Sequence, residues 1–388
     1  MDIETLSVIF FFGIIGILIY LDKKNIEFKQ GLIIRRTKKG IEIISNIAKK
    51  HKRILSVLGN IAIGVGIIAA VIGLSFLIYD TFLGRRSAGI ILPTVGSYQY
   101  PEPVFSVPFW YWIAAIFIVV TAHEPMHALF ARLENVKIKN MGIFLFFVLP
   151  LGAFADPDQK QLEKLSPLKK MRIYAAGSFG NLIIAGIFIV LIMSYNFLID
   201  SIISTEGVIF KSTIPSTGAS EVGLSGTITG INGKGVKSMN DFIIIMTDVK
   251  PGDMIEVKTT QDTYKIKTTQ NPQDATKAFV GINEPKTLYI YKNALIGLGI
   301  VSDNMLRIVN WIFGFLGWIF LINMGVGTFN LFPLKPLDGG LIFEEILKHF
   351  YNGKYVKYLV NGVSLLVLAL LLFNLFGPNL LSLIKQII

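Results

Sequence analysis

The chain contains no cysteine among its 388 residues. Disulfides and thiolate metal sites are therefore excluded. Charge is also scarce, at 16% of residues, where an ordinary soluble domain carries roughly 25%. Histidine is limited to four positions: His51, His123, His127 and His349. What fills the chain instead is apolar: 52% hydrophobic residues and a mean hydropathy of +0.59. Leu6–Leu21, Ile54–Leu83, Trp110–Phe130, Ile173–Ile199, Leu306–Phe332 and Tyr358–Phe376 are apolar over most of their length. A helix needs about 20 such residues to cross a hydrocarbon core about 30 Å thick. Five runs reach that length and the first sits at the low edge. A multi-pass protein of the cell membrane is expected.

The net charge of +11 does not point to nucleic acid. The basic residues crowd beside the apolar runs, as the positive-inside rule expects. Asp22–Arg53 is the densest such stretch and is expected in the cytoplasm. Asp2 and Glu4 precede the first run, while Lys23 and Lys24 follow it. That order is the reverse of a cleavable signal peptide, so a retained anchor with its N-terminus outside is expected.

Counting spans from there places residues 131–172 in the cytoplasm and residues 200–290 outside. Met141–Ala155 is apolar but too short to cross, and Gly142, Pro150 and Gly152 interrupt it. A re-entrant loop or hairpin is the expectation. Residues 200–290 are polar and Thr-rich. Met254–Val257 and Tyr264–Lys267 alternate like strands, and Asn232-Gly233 is a turn signal. Four regions result: 1–53, an anchor span and basic segment; 54–199, spans; 200–290, a β-rich domain; and 291–388, spans.

Chemistry concentrates in His123-Glu124-Pro125-Met126-His127. On a helix, residues four apart share one face, so both imidazoles can bind one zinc ion. Glu124 then stands beside the metal as a general base. The motif follows the unbroken apolar run Ile116–Val120, where ionisable residues default to function. A hydrogen-bonded polar cluster joining helices is the plainer reading. Pro125 would remove a helical hydrogen bond to the Thr121 carbonyl.

A catalytic zinc site takes three protein ligands and an open position. His51 and His349 lie outside apolar runs. The better third ligand is Asp338, at the end of Asn330–Gly340, where Pro333 and Pro336 break the helix. The same Asp could instead cap a helix beginning near Leu341. Asn181, in Gly177–Asn181, and Asn330 lie at the same depth. Each could donate to a substrate carbonyl or oxyanion, or make an interhelical hydrogen bond.

Three stretches, His123–His127, Gly177–Asn181 and Asn330–Gly340, resemble the site-2 protease family of intramembrane zinc metalloproteases, in the family's order. Leu149–Ala155 and Ser166–Gly177 resemble its eukaryotic-type branch. The resemblance implies one Zn2+ per chain on His123, His127 and Asp338, with Glu124 as base. Pro215–Leu224, Ile231–Lys234, Met239–Phe242 and Pro251–Lys258 resemble a PDZ domain, although Ser225-Gly226-Thr227 departs from its Gly-Asp. The expected fold is thus an α-helical polytopic membrane protein of about six spans with an inserted PDZ-like domain. The expected function is hydrolysis of peptide bonds within transmembrane segments of single-span membrane proteins. Membrane lipid is an expected partner, and the PDZ-like domain is expected to take a peptide by strand addition, a steric gate being the alternative. A non-catalytic membrane scaffold binding peptides through that domain is the alternative; the intact Glu124 speaks against it. A metal transporter would need polar residues at all depths of the bilayer.

Overall fold

A computed structural model describes residues 3–29, 31–146, 149–292 and 299–387. Asp2, used above to orient the first span, lies outside the described residues.

The elements run α1 (Ile3–Leu21), β1 (Ile26–Lys29), β2 (Leu32–Thr37), α2 (Ile41–Lys50) and α3 (Lys52–Phe82). Next come β3 (Ile90–Thr94), β4 (Val104–Pro108), α4 (Phe109–Leu133), β5 (Ile138–Phe146), β6 (Leu149–Pro157), α5 (Gln159–Glu163) and α6 (Pro167–Ile202). The inserted stretch holds β7 (Ile203–Ile209), β8 (Ser212–Thr213), α7 (Gly218–Glu221), β9 (Ile228–Ile231), β10 (Lys234–Gly235) and α8 (Met239–Thr247). It continues with β11 (Met254–Thr259), β12 (Thr263–Lys267), β13 (Thr269–Asn271), β14 (Asp274–Phe279), β15 (Ile282–Asn283) and β16 (Lys286–Tyr291). The chain closes with α9 (Asp303–Phe329), α10 (Asp338–Phe350) and α11 (Gly353–Ile387).

Among the described residues, six helices are long and apolar enough to cross a membrane: α1, α3, α4, α6, α9 and α11. They match the six apolar runs one for one. Their exposed faces are themselves apolar, with Phe10, Phe76 and Leu365 turned outward, as lipid-facing surfaces require. The chain divides into two compact units, one of residues 1–192 and 314–388 and the other of residues 193–313.

The first unit carries a sheet as well as spans. Met141–Ala155 forms an antiparallel hairpin of β5 and β6; residues 147 and 148 of its turn lie outside the described residues. The hairpin does not stand alone. β2, from the basic stretch after α1, pairs with β5, setting Arg35 opposite Ile143 and Arg36 opposite Gly142. The resulting order is β1-β2-β5-β6, so β6 is an edge strand. Gly142 is required there. A Cβ on it would collide with the Arg35 carbonyl and stand 2.5 Å from the Phe154 ring.

Two buried polar side chains tie elements of this unit together. Asn374, 1% exposed, accepts from the Ser87 and Ala88 amides and donates to Thr81 Oγ1 and the Arg85 carbonyl, tying α11 to the end of α3. Glu134 is held by Lys169 and Arg172. Both are paired as buried polar groups must be.

In the second unit the sheet order is β12-β11-β9-β7-β16, with β10 on β9. Its core gathers Val208, Ile228, Ile231, Ile255, Val257 and Ile266. β11 alternates exposed and buried residues along its length, as period-two patterning dictates. Asn232 and Gly233 take φ of 50° and 75°, the left-handed pair of a tight hairpin turn. Ser238 and Asp241 form a reciprocal capping box at the start of α8. The Lys237 amide and the Ser238 hydroxyl hold the Asp241 carboxyl below its usual 3.8.

Candidate metal centre

α4 runs unbroken through Pro125. His123 and His127 therefore keep the one-face relation their spacing implies, and their Nε2 atoms stand 3.1 Å apart. Asp338 opens α10. Its Oδ2 lies 3.4 Å from each Nε2. It reaches there because the preceding loop folds back tightly: the Gly339 amide donates to the Asn330 carbonyl at 2.8 Å. A Cβ on Gly339 would collide with the Leu331 carbonyl, and one on Gly340 would stand 2.6 Å from the Leu334 carbonyl carbon. The two glycines are thus demanded by close approach of backbone to backbone. The carboxylate is turned to the imidazoles and is also met by Ser178 Oγ at 3.3 Å. No side-chain cap is made by Leu337, the residue before α10.

These distances test whether a metal fits. Zinc bonds N and O ligands at about 2.0–2.1 Å in tetrahedral geometry, which sets ligand-to-ligand edges of about 3.3–3.4 Å. The observed triangle has edges of 3.1, 3.4 and 3.4 Å. The three side chains are 12, 16 and 14% exposed, which leaves them shielded yet reachable. His127 Nδ1 stands 2.7 Å from the Ile173 carbonyl. A carbonyl only accepts, so Nδ1 carries the proton and Nε2 presents a lone pair. The space between the rings is kept open by Gly177. A Cβ there would collide with His127 Nε2 and stand 2.7 Å from His123 Nε2. His123, His127 and Asp338 form a group able to hold a metal ion, and the donor set suits zinc.

Glu124 faces the hairpin. Its Oε2 accepts the Ala155 amide of β6 at 2.9 Å. That contact ties the middle of the motif to the edge strand. Asn181 is fully buried, with its Nδ2 3.0 Å from His123 Nδ1. Asn330 is half-buried at the start of the loop. Among the described contacts its side chain makes no hydrogen bond to His123, His127 or Asp338. His51 and His349 lie at helix ends away from the group.

Some contributors carry little signal in the sequence. Ser178 is a fully buried hydroxyl on an apolar span, and that much can be suspected from its neighbours. The Ile173 carbonyl and the Ala155 amide are backbone groups, with no side-chain signature at all. Asn323 on α9 is fully buried, and its Oδ1 has no partner among the described residues.

Six helices able to span, an H-E-x-x-H helix and a candidate third ligand at zinc spacing fit a membrane metalloprotease of the zinc class. The chain belongs to peptidase family M50, whose model matches residues 111–374. It is 28% identical to an uncharacterized protein of Methanocaldococcus jannaschii, over 96% of this chain and 97% of that one. A protein of Clostridium perfringens named "Putative zinc metalloprotease" is 22% identical over 66% of this chain and 93% of its own. A membrane-bound transcription factor site-2 protease homolog of Arabidopsis thaliana is 24% identical over 36% of this chain and 27% of its own. Among solved structures, the PDZ domain of an SdrC-like protein of Listeria monocytogenes matches 20% of this chain and 85% of its own, at 28% identity and a TM-score of 0.18. That score carries no weight in describing the inserted unit, which rests on its own strand order.

Proposed function

We propose that the chain hydrolyses peptide bonds inside the transmembrane segments of single-span membrane proteins, in regulated intramembrane proteolysis. One observation carries the proposal. His123, Glu124 and His127 share a helix apolar enough to cross a bilayer, and two of them converge with Asp338 at zinc spacing while Glu124 stays off the triangle. His123, His127 and Asp338 would hold the zinc, leaving a fourth position open. Bound zinc supplies a Lewis acid that acidifies a water and polarises a carbonyl.

Glu124 handles the proton. With Oε2 held by the Ala155 amide, its carboxylate takes the proton of the attacking water and returns it to the leaving amide nitrogen. An amide from Asn181 or Asn330 is the side-chain donor proposed for the oxyanion. A substrate helix has its carbonyls bonded internally, so the segment must unwind before attack. The outer edge of β6 beside α4 gives an unwound segment a strand to pair with. Peptide capture at a strand edge of the PDZ-like unit belongs to the same proposal. The basic loops support an active site toward the cytoplasm and a PDZ-like unit outside.

The test is cleavage of a single-span substrate in detergent by wild type and Glu124→Gln, with zinc counted in both and the cut mapped by mass spectrometry. Expected are one zinc in each, a cut within the apolar segment by wild type, and a rate roughly 10³-fold lower in the variant. Equal rates would remove Glu124 as base. A cut outside the apolar segment would remove the intramembrane assignment.

A further inference from the structure

The three ligands share a common supporter. Ile173, Gly177, Ser178 and Asn181 fall on one face of α6, spaced as i, i+4, i+5 and i+8. From that face the Ile173 carbonyl takes the Nδ1 proton of His127 at 2.7 Å. Ser178 Oγ donates to Asp338 Oδ2 at 3.3 Å. Asn181 meets His123 Nδ1 at 3.0 Å. Each ligand thus makes one hydrogen bond with α6, and Gly177 leaves the gap between the two rings.

We infer that α6 is the orienting helix of the metal site, and that Asn181 is a positioning residue whose amide oxygen fixes His123 for metal binding. This rests on the zinc reading of the same site. An imidazole that gives its Nε2 lone pair to a metal carries its proton on Nδ1, and that N–H needs an acceptor. For His127 the acceptor is the Ile173 carbonyl. For His123 the partner is an amide, whose two ends have nearly the same shape and opposite roles. With Nδ2 toward the ring, Nδ1 must accept and the proton moves to Nε2. There it points at Asp338 and His127, into the place of the metal. The same placement leaves Asn181 Oδ1 buried with no partner among the described residues, a costly state for an amide oxygen.

A half-turn of the amide resolves both conflicts. Oδ1 then accepts the Nδ1 proton of His123, the orphaned oxygen is satisfied, and Nε2 is free to bind. The ring holds one proton throughout and changes only which nitrogen carries it. His123 then uses only the acceptor end of Asn181, while the donor end takes the buried place Oδ1 had; oxyanion donation would need that donor end and is a separate role.

Two substitutions separate the roles. Asn181→Asp keeps an acceptor and loses the donor; Asn181→Leu loses both at similar volume. Zinc affinity of the full-length protein is read by competition with a chromophoric chelator, alongside thermal melting of the zinc-free forms and substrate cleavage. Asn181→Leu should weaken zinc by about 10–100-fold, the usual effect of removing such an outer partner. Melting of its zinc-free form is compared with that of the zinc-free wild type, so that a general loss of fold is told apart from a loss of zinc affinity. Asn181→Asp should hold zinc at least as tightly as wild type and retain cleavage. If Asn181→Leu matches wild-type affinity, the inference fails. If Asn181→Asp binds zinc well but no longer cuts, the donor end matters and the oxyanion role replaces this one. Should Asn181→Leu not fold, Asn181→Asp alone decides. A wild type that holds no zinc removes the underlying reading, an outcome distinct from all of these.

Discussion

Gly177 shows most plainly how a single residue shapes the site. In a helix interior, alanine is favoured over glycine by about 0.8–1.0 kcal/mol, so Gly177→Ala would strengthen a purely structural α6. Here the added methyl would collide with His127 Nε2 and crowd His123 Nε2. Two ring nitrogens cannot both yield without leaving zinc geometry. Gly177→Ala is expected to keep the helix content of the wild type and the melting of its zinc-free form, while zinc falls from one per chain to under about one-tenth. Zinc counting by plasma mass spectrometry beside circular dichroism checks this. A variant that keeps full zinc would mean that α6 does not bound the metal position. At this scale the sequence was readable where spacing fixes a shared face: His123 and His127 lie on one side of α4, and Asp338, which the sequence also left open as a helix cap, stands beside them. The orientation of Asn181 was not readable. Whether an amide serves a ring or a substrate depends on what stands 3.0 Å away, and nothing local in the sequence encodes that.

Spans and hairpin differed in legibility at the scale of elements. A span announces itself by about 20 apolar residues with no partner needed, and each of the six runs became a helix. The Met141–Ala155 hairpin was half legible, because Gly142, Pro150 and Gly152 excluded a crossing helix. Its pairing with β2 was not legible, since that strand comes from a stretch conspicuous for charge and separated from β5 by three helices. The sheet makes β6 an edge, and the outward amide of Ala155 goes to Glu124. Proline is tolerated in an edge strand when the lost N–H faces away from the ladder. Ala155→Pro therefore deletes the partner of the base while sparing the sheet. Zinc content and melting should hold. The cleavage rate should drop by about 10-fold, since the carboxylate loses its orientation and general base catalysis is worth 10²–10⁴ in all. An unchanged rate would show that Glu124 is aimed by other contacts.

For the whole molecule, sidedness follows from counting crossings, and the absence of cysteine makes it measurable with single introduced thiols. Lys24, Lys137 and Lys234 are all exposed. Two helices able to span, α3 and α4, separate the first from the second, and one, α6, separates the second from the third. If all three helices cross, Lys24 and Lys137 share a side and Lys234 faces the other. The basic residues around Lys24 and Lys137 then choose the cytoplasm for that pair. With a membrane-impermeant maleimide on intact cells, Lys234→Cys is expected to label, while Lys24→Cys and Lys137→Cys label only after permeabilisation. The reverse pattern would keep all six spans and invert the protein, moving the metal centre away from the cytoplasmic side. Lys24→Cys and Lys137→Cys on opposite sides would instead mean that α3 or α4 does not cross. If that helix were α4, His123 and His127 would no longer sit on a membrane-spanning segment, and the proposal of cleavage within the bilayer would lose the observation that carries it.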